Sequence, residues 1–150
     1  MRYRKESEIA ASAEVVFRFH ERPDAFERLQ PPWQTSEILQ PPSSLEVGTE
    51  VILRVKVGPF WRRIVARHVA YEPGVMFTDR MVEGPFARWE HEHRVTPVDE
   101  HRCRLIDDID YALPLGRLGR WFGGSMARSQ LERLFSYRHR VTREVCEGGD

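Results

Sequence analysis

The chain has 150 residues, with 23 basic and 23 acidic side chains and a formal net charge of zero. That length fits one domain, residues 1–150, able to bury a real core, and the balanced charge offers no field for nucleic acid or an anionic membrane. Two cysteines, Cys103 and Cys146, provide neither a disulfide framework nor a zinc site.

Tyr3 to Ala11 reads as a strand, and Ser12 is placed to cap a helix through Ala13 to His20. Pro23 stops that helix, and Asp24 to Leu29 supplies a second short helical turn. The pairs Pro31-Pro32 and Pro41-Pro42 bracket Trp33 to Gln40, which is confined to extended strand or loop. From Thr49 the chain becomes a meander. Val51, Leu53, Val55 and Val57 alternate with Arg54 and Lys56, the pattern of a half-buried strand. Gly58-Pro59, Pro73-Gly74 and Gly84-Pro85 then punctuate strands over 61–71, 75–82 and the Trp89 segment, and a turn near 98–101 leads into the Cys103 strand. Pro114-Leu115-Gly116 ends the sheet.

Leu118 to about Val145 has helical periodicity. Leu118, Trp121, Phe122, Met126, Leu131, Leu134, Phe135, Arg138, Val141 and Val145 form its stripe, and Gly123-Gly124 is an expected kink or close approach. The last residues, 146–150, are expected to fray. The element order β-α-α-β6-α calls for an α+β domain in which an antiparallel sheet of about seven strands curls around the long C-terminal helix.

Alternate residues of a strand share a face. Trp89, His91, His93 and Val95 therefore point one way, and Arg88, Glu90, Glu92 and Arg94 the other. On the next strand Cys103, Leu105, Asp107, Ile109, Tyr111 and Leu113 share a face that is apolar except for Asp107 and the Tyr111 hydroxyl. A connection centred near residue 99 sets His91 opposite Asp107; a slip of two residues brings His93 there instead. Either register puts an imidazole beside a carboxylate on the enclosed side. That pair either satisfies itself inside the barrel, orients a ligand, or serves as a general base, which makes His91 and Asp107 the catalytic candidates.

The strand before it carries Val75, Phe77, Asp79 and Met81 on one face, and Asp79 is expected to bridge to Arg67 or Arg63. His91 and His93 with Asp79 or Asp107 make a conceivable metal set, but no further ligand stands at diagnostic spacing, so neither metal nor cofactor is assigned. Trp33, Trp89, Trp121 and Phe122 are candidate pocket walls, and Arg138 is a candidate anchor for an anionic head group or a side chain reaching the rim. The expected ligand site comprises these residues with Phe77, Asp79, Met81, His91, His93, Asp107 and Tyr111. No glycine-rich phosphate loop and no nucleophile elbow is present.

Several segments together carry a family resemblance: Ala13-Glu14-Val15-Val16-Phe17, Pro31-Pro32-Trp33, Ala66-Arg67-His68, Gly84 through His91, Asp107, Tyr111 through Gly116, and Phe135-Ser136-Tyr137-Arg138. On these the chain resembles the helix-grip superfamily of START, Bet v 1 and polyketide cyclase/dehydrase-like (SRPBCC) domains, in its bacterial cyclase/dehydrase-like branch. The resemblance implies a deep apolar pocket between sheet and helix and a small hydrophobic ligand: a lipid, polyketide, isoprenoid or aromatic metabolite. It implies no shared catalytic set. The alternatives are a cyclase/dehydratase-type enzyme using the His-Asp pair, or an interaction module for an epimerase-like or chaperone partner. Exposed strand edges permit a homodimer. The first residues lack the apolar run of a signal peptide and no segment is long enough to span a membrane, so the expected location is the cytoplasm.

Overall fold

The structure, a computed structural model, describes residues 1–148, apart from the side chains of Arg120 and Phe122. Its elements are β1 (Arg2–Ile9), α1 (Ala13–Glu21), α2 (Ala25–Arg28), β2 (Ser36–Gln40), β3 (Glu50–Val57), β4 (Phe60–Glu72), β5 (Met76–Glu83), β6 (Arg88–Asp99), β7 (Arg102–Ala112) and α3 (Gly116–Glu147). The strands make one antiparallel sheet in the order β1-β7-β6-β5-β4-β3-β2. Six strands form a meander, and β1 returns to pair with the last of them. α3 packs on β1 and β7, and α1 packs on α3, β6 and β7. This is the helix-grip arrangement.

Local chemistry explains the boundaries. Ser12 is extended (φ −65°, ψ 155°), and its hydroxyl accepts the Val15 amide, which starts α1. The Gly58-Pro59 hairpin turns tightly between Val57 and Phe60, with Gly58 at φ 60°, a conformation glycine adopts without strain. Arg54 with Glu37, Arg67 with Glu50, Arg80 with Glu90 and Arg88 with Asp110 pair across neighbouring strands on the outer face. Each exposed pair is worth no more than about 1 kcal/mol, and together they keep that face wet.

The interior holds two apolar clusters. One joins Ile9, Phe17, Phe19, Phe77, Val95, Cys103, Leu105, Val145 and Cys146; the other joins Tyr3, Ile109, Tyr111, Leu131 and Phe135. Between them the same elements turn polar. β7 reads Leu105–Asp107–Ile109, β6 carries His91 and His93 between Trp89 and Val95, and α3 carries His139 between Phe135 and Thr142. A polar belt therefore crosses the core between two hydrophobic halves.

Three features of α3 differ from expectation. The helix runs unbroken through Gly123-Gly124. A Cβ on Gly123 would lie 3.4 Å from Leu113 Cδ1 and one on Gly124 3.9 Å from Met1 Sδ, ordinary contact distances, so neither the expected kink nor a close approach that demands glycine is found there. In the first half of the apolar stripe the described side chains are not buried: Trp121 is 84% exposed, and Leu118 and Met126 are also exposed. Contact with sheet and α1 is instead made by the row Leu131, Phe135, His139, Thr142, Val145 and Cys146. The expected fraying at 146 is not seen, since Cys146 is helical and buried, and Gly148 caps the helix; residues 149–150 lie outside the described residues.

Candidate functional site

The register of β6 on β7 is the slipped one: His93 lies opposite Asp107 and His91 opposite Ile109. An irregularity between Pro97 and Asp99 shifts the pairing near the turn. Proline cannot donate to the ladder, so the strand end is free to bulge there. Both imidazoles nevertheless reach the carboxylate. His91 Nε2 is 2.6 Å from Asp107 Oδ1, and His93 Nδ1 is 3.1 Å from the same oxygen. His139 Nε2, from α3, takes the other oxygen at 2.6 Å, and its Nδ1 meets Ser7 Oγ of β1 at 2.8 Å. The Asp107 carboxylate on β7 thus gathers three imidazoles, two from β6 and one from α3.

Asp79 completes the belt. Its Oδ2 lies 2.8 Å from His93 Nε2 and 3.7 Å from His91 Nδ1. The expected bridges to Arg67 or Arg63 do not form; Arg67 binds Glu50 at 2.7 Å and Arg63 lies 3.4 Å from Glu83, both on the outer face. β5 alternation turns Asp79 inward, so imidazoles and not surface guanidiniums are its neighbours.

Hydrogen-bond roles follow from charge. Burial opposes ionisation of Asp107, but the bonds from His139, His91 and His93 outweigh it and hold the carboxyl well below its usual range. Burial likewise opposes ionisation of Asp79, and the His93 bond holds it low. An ionised carboxylate only accepts, so each imidazole nitrogen facing Asp107 carries a proton. Burial also opposes a charge on His93, yet the two carboxylates at its two nitrogens prevail and raise its pKa to about 9. His93 is therefore an imidazolium donating from both nitrogens. Burial, reinforced by the neighbouring His93, pushes His91 down. His91 is neutral, with its proton on Nε2 and its lone pair on Nδ1, towards Asp79.

Beside the belt is a cavity of about 20 Å³ lined by His20, Leu29, His93, Leu105, Asp107, Arg138, His139 and Thr142. That is room for roughly one water. The deep apolar pocket expected here is replaced, among the described residues, by packed side chains around a small polar space. Arg138 lies half-buried over it, held by an Nε bond to the Leu29 carbonyl at 3.2 Å and resting 5.3 Å from the Phe135 ring centroid. Burial lowers its pKa, opposed by Asp107 and Asp79. No carboxylate pairs with Arg138 at ion-pair distance among the described residues. His20 donates from Nδ1 to the Val16 carbonyl at 2.9 Å, and burial depresses its pKa to about 4. It is neutral, with an acceptor lone pair on Nε2. A separate groove of about 390 Å³, lined by Arg2, Thr78, Glu90, Glu92, Asp108 and Asp110, lies on the outer face. Its acids are largely engaged by Arg2, Arg80 and Arg88.

The structure brings His91, His93, Asp107, Asp79 and Arg138 together and stacks Phe77 on His93 (centroids 4.1 Å apart, 8° between planes). Trp89 and Tyr111 pack around Phe86, one step from His91. Met81 is half-buried farther along β5. Two expected walls fall away from the site. Trp121 is on the solvent side of α3, and Trp33 is 41% exposed, under Arg133 and against Tyr137. Phe122, the other expected wall on α3, lies outside the described side chains. His20, Ser7, His139 and Thr142 were not anticipated. His139 and Thr142 stand at the helical spacing 135-139-142-146, one face over from the Phe135-Arg138-Val141-Val145 stripe.

A family model described as polyketide cyclase/dehydrase and lipid transport matches residues 1–143. The chain belongs to this family. Solved structures share the fold at low identity. Norcoclaurine synthase from Thalictrum flavum, in complex with dopamine and hydroxybenzaldehyde, is 16% identical with a TM-score of 0.70, covering 98% of this chain and 87% of that one. The Zhui aromatase/cyclase from Streptomyces sp. R1128 is 20% identical with a TM-score of 0.66, covering 99% and 92%. A START superfamily protein from Mycobacterium smegmatis is 16% identical with a TM-score of 0.67, covering 99% of both chains. No curated protein sequence matches this family member. Among the described residues no helix is long and apolar enough to cross a membrane.

Proposed function

We propose that this domain binds a small, partly apolar molecule through an oxygen-bearing polar head group seated between Arg138, His20 and the Asp107–His139 pair. The observation that carries this reading is the lining of the interior cavity: six of its eight side chains are polar, and the one guanidinium among them has no carboxylate partner among the described residues. A carrier of pure hydrocarbon has no use for such a floor, because unmatched buried polar groups weaken apolar binding. An enolate, phenolate or carboxylate oxygen would accept from Arg138, and a hydroxyl would donate to His20 Nε2. The solved complex of norcoclaurine synthase with two aromatic ligands supports an aromatic body for the molecule. Entry requires the Arg138–Leu29 tie to part, since the cavity admits only a water-sized guest.

The test pairs 2-naphthoate with 2-methylnaphthalene in titrations of wild type and Arg138→Met. The expected result is naphthoate binding weakened at least roughly tenfold by the substitution, the loss of one charge-assisted contact, with methylnaphthalene unaffected. Equal affinities of both compounds for both proteins would overturn the reading.

One observation favours a second reading, acid–base catalysis of the cyclase/dehydratase type. Asp107 fixes the Nε2–H tautomer of His91 and leaves Nδ1 as a lone-pair base in a buried site. On this reading His91→Ala and Asp107→Asn each abolish turnover of a bound ketone substrate. Turnover surviving both substitutions would rule it out.

A further inference from the structure

We propose that Asp79, His91 and His93 form a binding site for a divalent transition-metal ion of the zinc class, with Asp107 orienting both imidazoles from behind. One ligand atom from each of the three residues lies within 4.8 Å of the others. The two separations that involve Asp79 are 2.8 Å from its Oδ2 to His93 Nε2 and 3.7 Å from its Oδ2 to His91 Nδ1. Ligands about 2.0–2.1 Å from a tetrahedral zinc stand about 3.3 Å apart, between those two values. Small rotations of side chains already in place would therefore close the site.

The remaining contacts carry the inference further. A histidine that binds a metal through one nitrogen characteristically gives its other N–H to a carboxylate. Here Asp107 Oδ1 receives both far nitrogens, His91 Nε2 at 2.6 Å and His93 Nδ1 at 3.1 Å. The nitrogens left over are the two that face Asp79. A single carboxylate thus holds a proton on the far nitrogen of each ring, as metal binding requires, and His139 fixes Asp107 in turn at 2.6 Å. The stack of Phe77 on His93 limits rotation of that ring. Asp79 and His93 side chains are each 16% exposed, so an ion, and a water as its fourth ligand, can reach them. Two imidazoles and one carboxylate with an open position suit Zn²⁺, Fe²⁺ or Co²⁺ better than Mg²⁺ or Ca²⁺, which prefer all-oxygen shells. On binding, the Nε2 proton of His93 leaves to solvent and the ion takes its place between His93 and Asp79.

The ion is titrated with no organic ligand present, so the test stands apart from the proposed ligand binding. Protein stripped with a chelator is titrated with Zn²⁺ by calorimetry and with Co²⁺ by visible absorption. The expected result is one ion per chain, an affinity on the order of micromolar or tighter, and the intense d–d bands of low-coordinate Co²⁺. Asp79→Asn and His91→Ala should each remove the bands, and Asp107→Asn should weaken binding roughly 10- to 100-fold. Should His91→Ala fail to fold, side-chain ¹⁵N spectra of wild type decide: Zn²⁺ should shift His91 Nδ1 and His93 Nε2. Absence of stoichiometric binding, binding indifferent to Asp79→Asn, or unshifted His91 and His93 nitrogens would each overturn the proposal.

Discussion

The His139 imidazole and the Asp107 carboxylate meet at 2.6 Å although 32 residues separate them, one on the long C-terminal helix and the other on the last strand. Neither residue interrupts its own element's geometry, but each interrupts an apolar row. Their meeting registers α3 on the sheet, and the rest of the polar belt is arranged around it. Asp107→Asn removes the charge while keeping the shape. It should destabilise the fold by roughly 3–5 kcal/mol, the usual consequence of breaking a buried charged network, measured as a lower denaturant midpoint at unchanged slope.

His20 makes stability sensitive to acid. Burial depresses its folded pKa from the ordinary 6.5 to about 4, against the opposing Val16 carbonyl. The titratable groups facing it are His93 on β6, Asp107 on β7 and His139 on α3. A depressed imidazole pKa means that the unfolded chain binds the extra proton first. The contribution of neutral His20 is therefore complete above pH 6.5 and is lost as pH falls towards 4. The loss is at most roughly 3 kcal/mol. His20→Leu should unfold less steeply between pH 6.5 and 4 than wild type in parallel denaturant titrations; identical pH slopes would remove His20 from the account.

Phe135 is fully buried, set edge-on to His91 at 5.1 Å and beside Tyr3 at 5.8 Å. Phe135→Ala should cost about 3–5 kcal/mol, transfer and cavity terms together. It also places an apolar void next to the belt, so calorimetry should show a lower Tm and a partial recovery when a small aromatic compound such as benzene fills the space.

Leu115, just before α3, has φ 70° and is 81% exposed. A left-handed leucine is strained by about 1–2 kcal/mol, and its side chain buries little in return. Leu115→Gly should raise stability by about 0.5–1 kcal/mol after the added flexibility of the unfolded chain is counted, readable as a Tm increase of roughly 1–4 °C for a chain of this size.

The strands were legible because period-two alternation and Gly-Pro punctuation are local signals, and β3 to β7 follow them closely. The register of the β6–β7 hairpin was not, because it is set by the irregularity at Pro97, which no face pattern encodes. His91, His93, Asp79 and Asp107 could be found on inward faces by alternation. Their partners could not: Asp79 chose His93 over Arg67 because β5 turns it inward. His139 and Thr142 were overlooked because polar residues on a helix are ordinarily read as its wet side. Trp121 was misplaced for the converse reason, since an exposed aromatic breaks the same rule. The size of the interior space is a sum over many side-chain volumes, which a pattern of polar and apolar letters does not contain.

The most direct test of the belt is side-chain ¹⁵N–¹H spectroscopy of the chelator-treated protein at neutral pH. His91 should be neutral with its proton on Nε2, and His93 should carry protons on both nitrogens, each protected from solvent exchange. A neutral His93, or imidazole protons of both residues exchanging freely with water, would contradict the network centred on Asp107.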